Sequence, residues 1–443
     1  MYDRLFATPE IVQVFSAAGL IAKMQRFEWA LALALEQNNV ILDGVAASIQ
    51  SVTLNDVDLE TISQQSARAG NLVIPFVSRL TALVAETNVT LASYVHYGAT
   101  SQDVLDTATI LQIREALAFL QSDLNAICIA LVPLIQSHKD TLLPGRTWLQ
   151  QGPPVTLGLK LAGWLDAFQR HRERLHEASA RCICLQFGGA VGTLAALGDS
   201  GPLVTRHMAR ALDLPEPALP WHTHRDRLSE VATTLGMITG TLGKIGRDIS
   251  LLMQTEVAEV FEPTQQGRGG SSTMPHKHNP VSSSIMLAAA VRVPALVATM
   301  LSSMVQEHER GLGGWQAEWE TLPETFRLAS GSLRAAREAI SGLTVDTNAM
   351  CRHLDTNGGL ALSEAVAFIL APKIGRSHAH HLLEQVTRTA LEQHLSFREA
   401  LLLSTDIRAH LSIAEVDQAL DPRRYLGSTP NFIDNVLARE ERN

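Results

Sequence analysis

Ile110-Leu111-Gln112-Ile113-Arg114-Glu115-Ala116-Leu117-Ala118-Phe119-Leu120-Gln121-Ser122-Asp123-Leu124 carries large aliphatic residues at 110, 113, 117, 120 and 124, and the series continues to Ile127, Leu131 and Leu134. Alternating steps of three and four are the period of a long helix packed lengthwise on its neighbours. Leu228, Val231, Leu235, Ile238, Leu242, Ile245, Ile249 and Leu252 repeat the pattern, so the spacing predicts a bundle of long helices. A further helix is expected to start after Pro153-Pro154 and run to about Arg181, with Leu157, Leu161, Trp164 and Phe168 on one face. From Pro280 to Gln306 the only charge is Arg292, close to Pro294. A central arginine weighs against a membrane span, and a helix apolar all round in a soluble protein is buried on every side. Punctuated loops fall at 142–146, 188–202, 214–220 and 262–279. The expected fold is all-α in three helical domains: 1–104, a central long-helix bundle over 105–344 with the loop 262–279, and 345–443.

Composition agrees. Of the 443 residues 46% are hydrophobic but only 5% aromatic, and 18% are charged, so much of the chain must be buried in a core or between subunits. The formal charge is -9, without a basic run, which excludes a nucleic-acid partner on electrostatic grounds. Cys128, Cys182, Cys184 and Cys351 lack metal-ligand spacing, and Met1-Tyr2-Asp3-Arg4 has no signal-peptide pattern. A reduced, cytoplasmic location is expected, with no membrane partner.

One segment departs from the amphipathic background: Gly267-Arg268-Gly269-Gly270-Ser271-Ser272-Thr273-Met274-Pro275-His276-Lys277-His278-Asn279-Pro280. The glycines permit a mobile loop, and hydroxyls, a lysine and an asparagine amide suit an anionic substrate whose carboxylate gathers charge. No strand is expected before the glycines and the Lys-Ser/Thr ending is absent, so this is not read as a phosphate loop. The string Gly-Ser-Ser-Thr-Met-Pro-His-Lys-x-Asn-Pro resembles the signature loop of the fumarase/aspartase superfamily. His96-Tyr97-Gly98-Ala99-Thr100-Ser101-Gln102-Asp103 and Gly145-Arg146-Thr147-Trp148-Leu149-Gln150 match in order, as do the ends of the chain, Arg4-Leu5-Phe6 and Tyr425-Leu426-Gly427.

The resemblance implies that Ser271 moves the proton alpha to a carboxylate while Lys277 and Asn279 hold the carbanionic form. It also places Thr100, Ser101 and Gln150 on substrate carboxylates and His96 beside substrate, joined as substrate-binding residues by Trp148, Ser272, Thr273, Met274 and Arg310. No cofactor or metal is implied. Relatives form homotetramers around long helices, with sites shared between chains. A partly independent argument agrees, since Thr100 and Ser101 precede a helix of some 38 residues, roughly 55 Å long, and Trp148 and Gln150 follow it. One small polycarboxylate substrate cannot bridge that length.

Two departures narrow the reaction. Most lyases of the superfamily have histidine where this chain has Trp148, and a glutamate paired with it where this chain has Ser284. An amine or hydroxide must be protonated as it leaves, whereas a carboxylate, with a conjugate-acid pKa of about 4, leaves unaided. The 3-carboxymuconate cycloisomerase branch meets that condition and is also similar in Trp148 and in Gly314-Trp315-Gln316-Ala317-Glu318-Trp319-Glu320-Thr321-Leu322-Pro323. The alternatives are a lyase expelling another anion from a succinate-like substrate, adenylosuccinate-lyase-like members included, and a non-catalytic relative.

Other residues have plainer readings. His378, His380 and His381, like His222 and His224, are expected to form solvated or interface clusters rather than metal sites. Glu256 and Glu259 form either a polar bundle end or a support beneath the loop.

Overall fold

The computed structural model describes the chain from Tyr2 to Arg442 apart from residues 265–268, 271, 272 and 275. The fold is all-α, as expected. The six longest helices are α1 (Ala17–Gln37), α2 (Ser101–Ser137), α3 (Leu157–Cys182), α4 (Asp226–Leu252), α5 (Val281–Ser302) and α6 (Gly314–Ser341). Shorter helices fill the rest, and the strands of the described residues form two antiparallel ribbons: β1 (Leu142–Thr147) with β2 (Gln150–Thr156), and β3 (Val260–Phe261) with β4 (Thr344–Val345).

The heptad positions read from the sequence are the buried ones. All eight in α4, from Leu228 to Leu252, lie in the core, and so do those of α2 from Ile110 to Leu131. Beyond Pro133 the buried stripe of α2 moves by one residue, so Ile135 rather than Leu134 is enclosed. The start of α1 is capped by Ser16, whose hydroxyl accepts from Gly19 N. Small residues let α4 and α5 approach closely: a Cβ on Gly243 would come 2.4 Å from Ala290 Cβ, and one on Gly236 would come 2.9 Å from Val297 Cγ2.

Close contacts divide the chain into two compact units. The first comprises 1–124, 171–243 and 285–335; the second comprises 125–170, 244–284 and 336–443. This division cuts across chain order, whereas the three domains expected from sequence follow it. In the second unit, Ser363–Ile374 packs on Arg376–Glu392 around Val366, Leu370, Leu382, Val386 and Phe397.

Two expectations change. The segment 142–156 is a hairpin rather than a loop leading into a helix, and α3 begins at Leu157. Pro144, Pro153 and Pro154 fit because both strands of a two-stranded ribbon are edges, where a missing N–H costs little. The helix over the apolar stretch is not enclosed on every side within one chain. Val291, Pro294, Ala295, Ala298 and Leu301 line an uncovered stripe of α5, with Val291 79% exposed.

Candidate active site

In the first unit the site residues gather at the start of α2. Thr100 precedes the helix, and Asp103, two residues after Ser101, turns back to accept from Thr100 N at 3.1 Å, as in a capping box. Asp103 is fully buried and accepts from Gly188 N at 3.0 Å and Gly189 N at 2.9 Å as well. His222 Nε2 lies 2.6 Å from its Oδ1, so this histidine is buried structure and not a solvated loop residue; His224 alone is exposed. The packing is tight enough that a Cβ on Gly188 would meet His222 Cε1 at 2.7 Å. Arg310 Nη2 donates to Gly189 O at 2.6 Å and to Thr100 Oγ1 at 3.4 Å. Arg310 and Thr100 are thus brought together. Burial lowers the Arg310 pKa against the opposing charges of Asp103 and Asp106.

His96 lies in the turn before α2 with φ +62°, and its Nδ1 is 2.6 Å from Glu28 Oε1 on α1. Burial alone would lower the His96 pKa, but the charge of Glu28, the bond to it and the charge of Asp103 together raise it. Deeper in this unit Arg225 sits between two buried carboxylates, Asp106 and Glu318, and Trp315 Nε1 donates to Asp106 at 3.0 Å. Burial raises the Glu318 pKa while Arg225 pulls it back. Trp315 and Glu318 are therefore buried framework at the head of α6, while Gln316 and Ala317 between them face outward.

In the second unit Trp148 and Leu149 form the two-residue turn of the hairpin, with φ +52° and +64°. Both positive angles match the mirror-image turn that suits twisted strands, although neither residue type favours it. Trp148 is 97% exposed in the single chain, and Gln150 beside it is exposed too. The hairpin is anchored below its tip: Arg146 donates twice to buried Glu259, at 2.9 and 2.6 Å, and His353 Nδ1 lies 2.7 Å from the same carboxylate. Glu259 is thus a support, here beneath the hairpin, whereas Glu256 is solvated.

Ser271 and Ser272 lie outside the described residues. Thr273, Met274 and Lys277 are exposed, Lys277 N donating to Met274 O, and Asn279 is half-buried with its N donating to Gly269 O at 2.8 Å. Glu262 ties the loop to the head of α5: its carboxylate accepts from Ser282 N, Ser283 N and Ser283 Oγ. Ser284 points its hydroxyl to Val281 O, a helix-internal bond, and leaves no acid/base pair of the histidine–glutamate kind with Trp148. His380 and His381 are exposed beside Glu384, and no group of three His, Cys, Asp or Glu among the described residues is placed to hold a metal ion.

Sequence reading missed Glu28, Asp103 as a hub, and Glu262. Glu28 had a signal: Ile21, Met24, Leu31 and Leu35 are a heptad stripe in which 28 is the missing core position.

A long-helix fold with this loop and this helix-head cluster defines a lyase of the fumarase/aspartase superfamily, and the chain belongs to that family. It matches the lyase family over residues 7–295 and the adenylosuccinate lyase C-terminus family over 359–436, and it is an enzyme of that superfamily. It is 48% identical over 439 residues to the 3-carboxy-cis,cis-muconate cycloisomerase of Pseudomonas aeruginosa, covering 99% of this chain and 96% of that one. The crystal structure of the 3-carboxy-cis,cis-muconate lactonizing enzyme from Pseudomonas putida superposes with a TM-score of 0.92 at 44% identity, covering 100% of this chain and 99% of the other. A nitrosuccinate lyase of Streptomyces davaonensis is 37% identical over 444 residues, 98% of this chain and 93% of that one.

Proposed function

We propose that the protein is a cycloisomerase interconverting 3-carboxy-cis,cis-muconate and a carboxymuconolactone. The observation that carries the reaction type is Trp148 at the hairpin tip with Ser284 turned into its own helix. No side chain at these positions can protonate a leaving group, and a carboxylate needs none. In the ring-opening direction Ser271 accepts the proton alpha to a carboxylate, the C–H electrons form the C=C bond, and the ring C–O bond breaks to release the second carboxylate as an anion. Lactonisation reverses each step. Lys277 and Asn279 stabilise the carbanionic carboxylate, and His96, Thr100, Ser101, Gln150, Ser272, Thr273, Met274 and Arg310 bind the substrate's carboxylates and backbone.

The active form is a homotetramer with sites shared between copies. Support comes from the uncovered apolar stripe of α5 and from α2, which alone is about 54 Å long and separates Ser101 from the hairpin in sequence. Both α2 and α5 are long and apolar enough to cross a membrane, but α5 carries the Arg292–Glu324 ion pair and α2 carries buried Asp103 and Asp106. Such groups suit protein neighbours better than lipid. Four cysteines, none in a disulfide among the described residues, fit a cytoplasmic location.

The experiment mixes pure protein with 3-carboxy-cis,cis-muconate and follows the loss of diene absorbance. Turnover is expected. A lyase expelling a different stable anion is the second reading, favoured by the nitrosuccinate lyase among the relatives. Inertness toward the muconate together with turnover of a substituted succinate would establish that reading instead.

A further inference from the structure

Glu28 is a carboxylate in the wrong company. It is 1% exposed on α1, in a stripe of Ile21, Met24, Leu31 and Leu35, all buried. A charged group in such a stripe is costly, and an apolar residue there would serve packing at least as well. Only Oε1 is engaged, by His96 Nδ1 at 2.6 Å; Oε2 is buried with no hydrogen-bond partner. The partner is constrained as well. His96 holds a left-handed backbone that non-glycine residues seldom adopt, while 19% of its side chain stays exposed. Backbone strain on one side and an incompletely bonded carboxylate on the other make this pair expensive as mere structure.

With Nδ1 committed to Glu28, the imidazole can turn only Nε2 outward, and Nε2 has no hydrogen bond among the described residues. A neutral ring bonded in this way would offer a lone pair, which repels a carboxylate. A protonated ring offers an N–H and a positive charge. We propose that Glu28 is a positioning residue whose buried carboxylate holds His96 as an imidazolium with Nε2–H directed at a substrate carboxylate. The proposal rests on the reading of His96 as a substrate contact. The charged groups facing the ring are Glu28 from α1 and Asp103 from α2, both acidic, and they favour the cation.

The direction of the pH effect follows. Binding needs the cation, so affinity is lost as pH rises through the raised His96 pKa; without Glu28 the loss occurs at lower pH. The test compares Glu28→Gln, His96→Gln and the double variant in the diene assay across pH 5.5–9, after checking helicity and oligomeric state. Glu28→Gln is expected to raise KM about tenfold near neutral pH, the loss of one charge-assisted bond, with a smaller effect on kcat. Its alkaline limb in kcat/KM should move toward about 6.5, the ordinary histidine value. His96→Gln should abolish that limb, and the double variant should be no worse than His96→Gln alone. Should Glu28→Gln fail to fold, the wild-type limb decides, since it must lie above the ordinary histidine value and vanish in His96→Gln. Unchanged KM and limb in folded Glu28→Gln beside an impaired His96→Gln would overturn the role of Glu28 and leave His96 a substrate contact. An unimpaired His96→Gln would overturn the reading of His96 and the inference with it.

Discussion

In the proposed reaction Trp148 stands where a leaving-group acid would otherwise sit. Because a departing carboxylate needs no proton, Trp148→His should bring no gain in cycloisomerase rate and no new acid limb in its pH profile; a clear increase in kcat would contradict the assigned chemistry. Ser271→Ala should lower kcat by at least about 10²-fold with helicity unchanged, the usual cost of removing a proton-transferring group. Activity within a few-fold of wild type would shift the role to Ser272. The carboxylates around Arg225 support the helix heads, and Asp106→Ala, which leaves that buried arginine half-paired, is expected to cost about 3–5 kcal/mol in urea unfolding. A loss well under 1 kcal/mol would show that water replaces the partner. These residues also mark how far sequence reaches. Thr100, Ser101, Lys277 and Asn279 were legible because they lie in contiguous motifs. Asp103 was quoted in a motif but gave no sign of its bonds to Gly188, Gly189 and His222, which lie 85 to 119 residues away.

The hairpin β1–β2 is the element where backbone preference and side-chain chemistry conflict. Its turn needs positive φ at 148 and 149, angles that asparagine and glycine adopt cheaply and tryptophan and leucine do not. Trp148→Asn with Leu149→Gly should therefore keep or raise the thermal midpoint while activity collapses. A lower midpoint would mean that these side chains pack against a neighbour strongly enough to outweigh the turn. Periodicity revealed the long helices because their burial repeats over about six turns or more. It gave no sign of the hairpin, whose strands are short, proline-bearing and barely alternating, and the Pro153-Pro154 pair imitates a helix start. Glu262 escaped for another reason. Its partners, Ser282 and Ser283, sit 20 and 21 residues on, across a loop whose closure no local pattern announces.

At the scale of the whole molecule, the uncovered stripe of α5 makes assembly a testable matter. Val291→Arg should reduce the particle to smaller species in light scattering and abolish turnover. Retention of a full-size, active particle would place the contact elsewhere. Mixing Thr100→Ala with Ser271→Ala under subunit exchange should restore part of the activity, because hybrids contain sites without a lesion; no recovery despite proven exchange would mean that each chain supplies its own site. The division into two units has a consequence for biosynthesis. Each unit is assembled from three separated stretches, and the chain crosses from one to the other at 124, 170, 243, 284 and 335. The first is incomplete until Ala335 has been translated, and the second needs stretches made before and after it. Neither can fold as one uninterrupted stretch of emerging chain, as consecutive domains do, because parts of each are made between parts of the other. Gene fragments encoding one unit are therefore not available as exchangeable parts, and variation in this enzyme has to accumulate in place, at loop tips such as 148–149, rather than by the shuffling of modules.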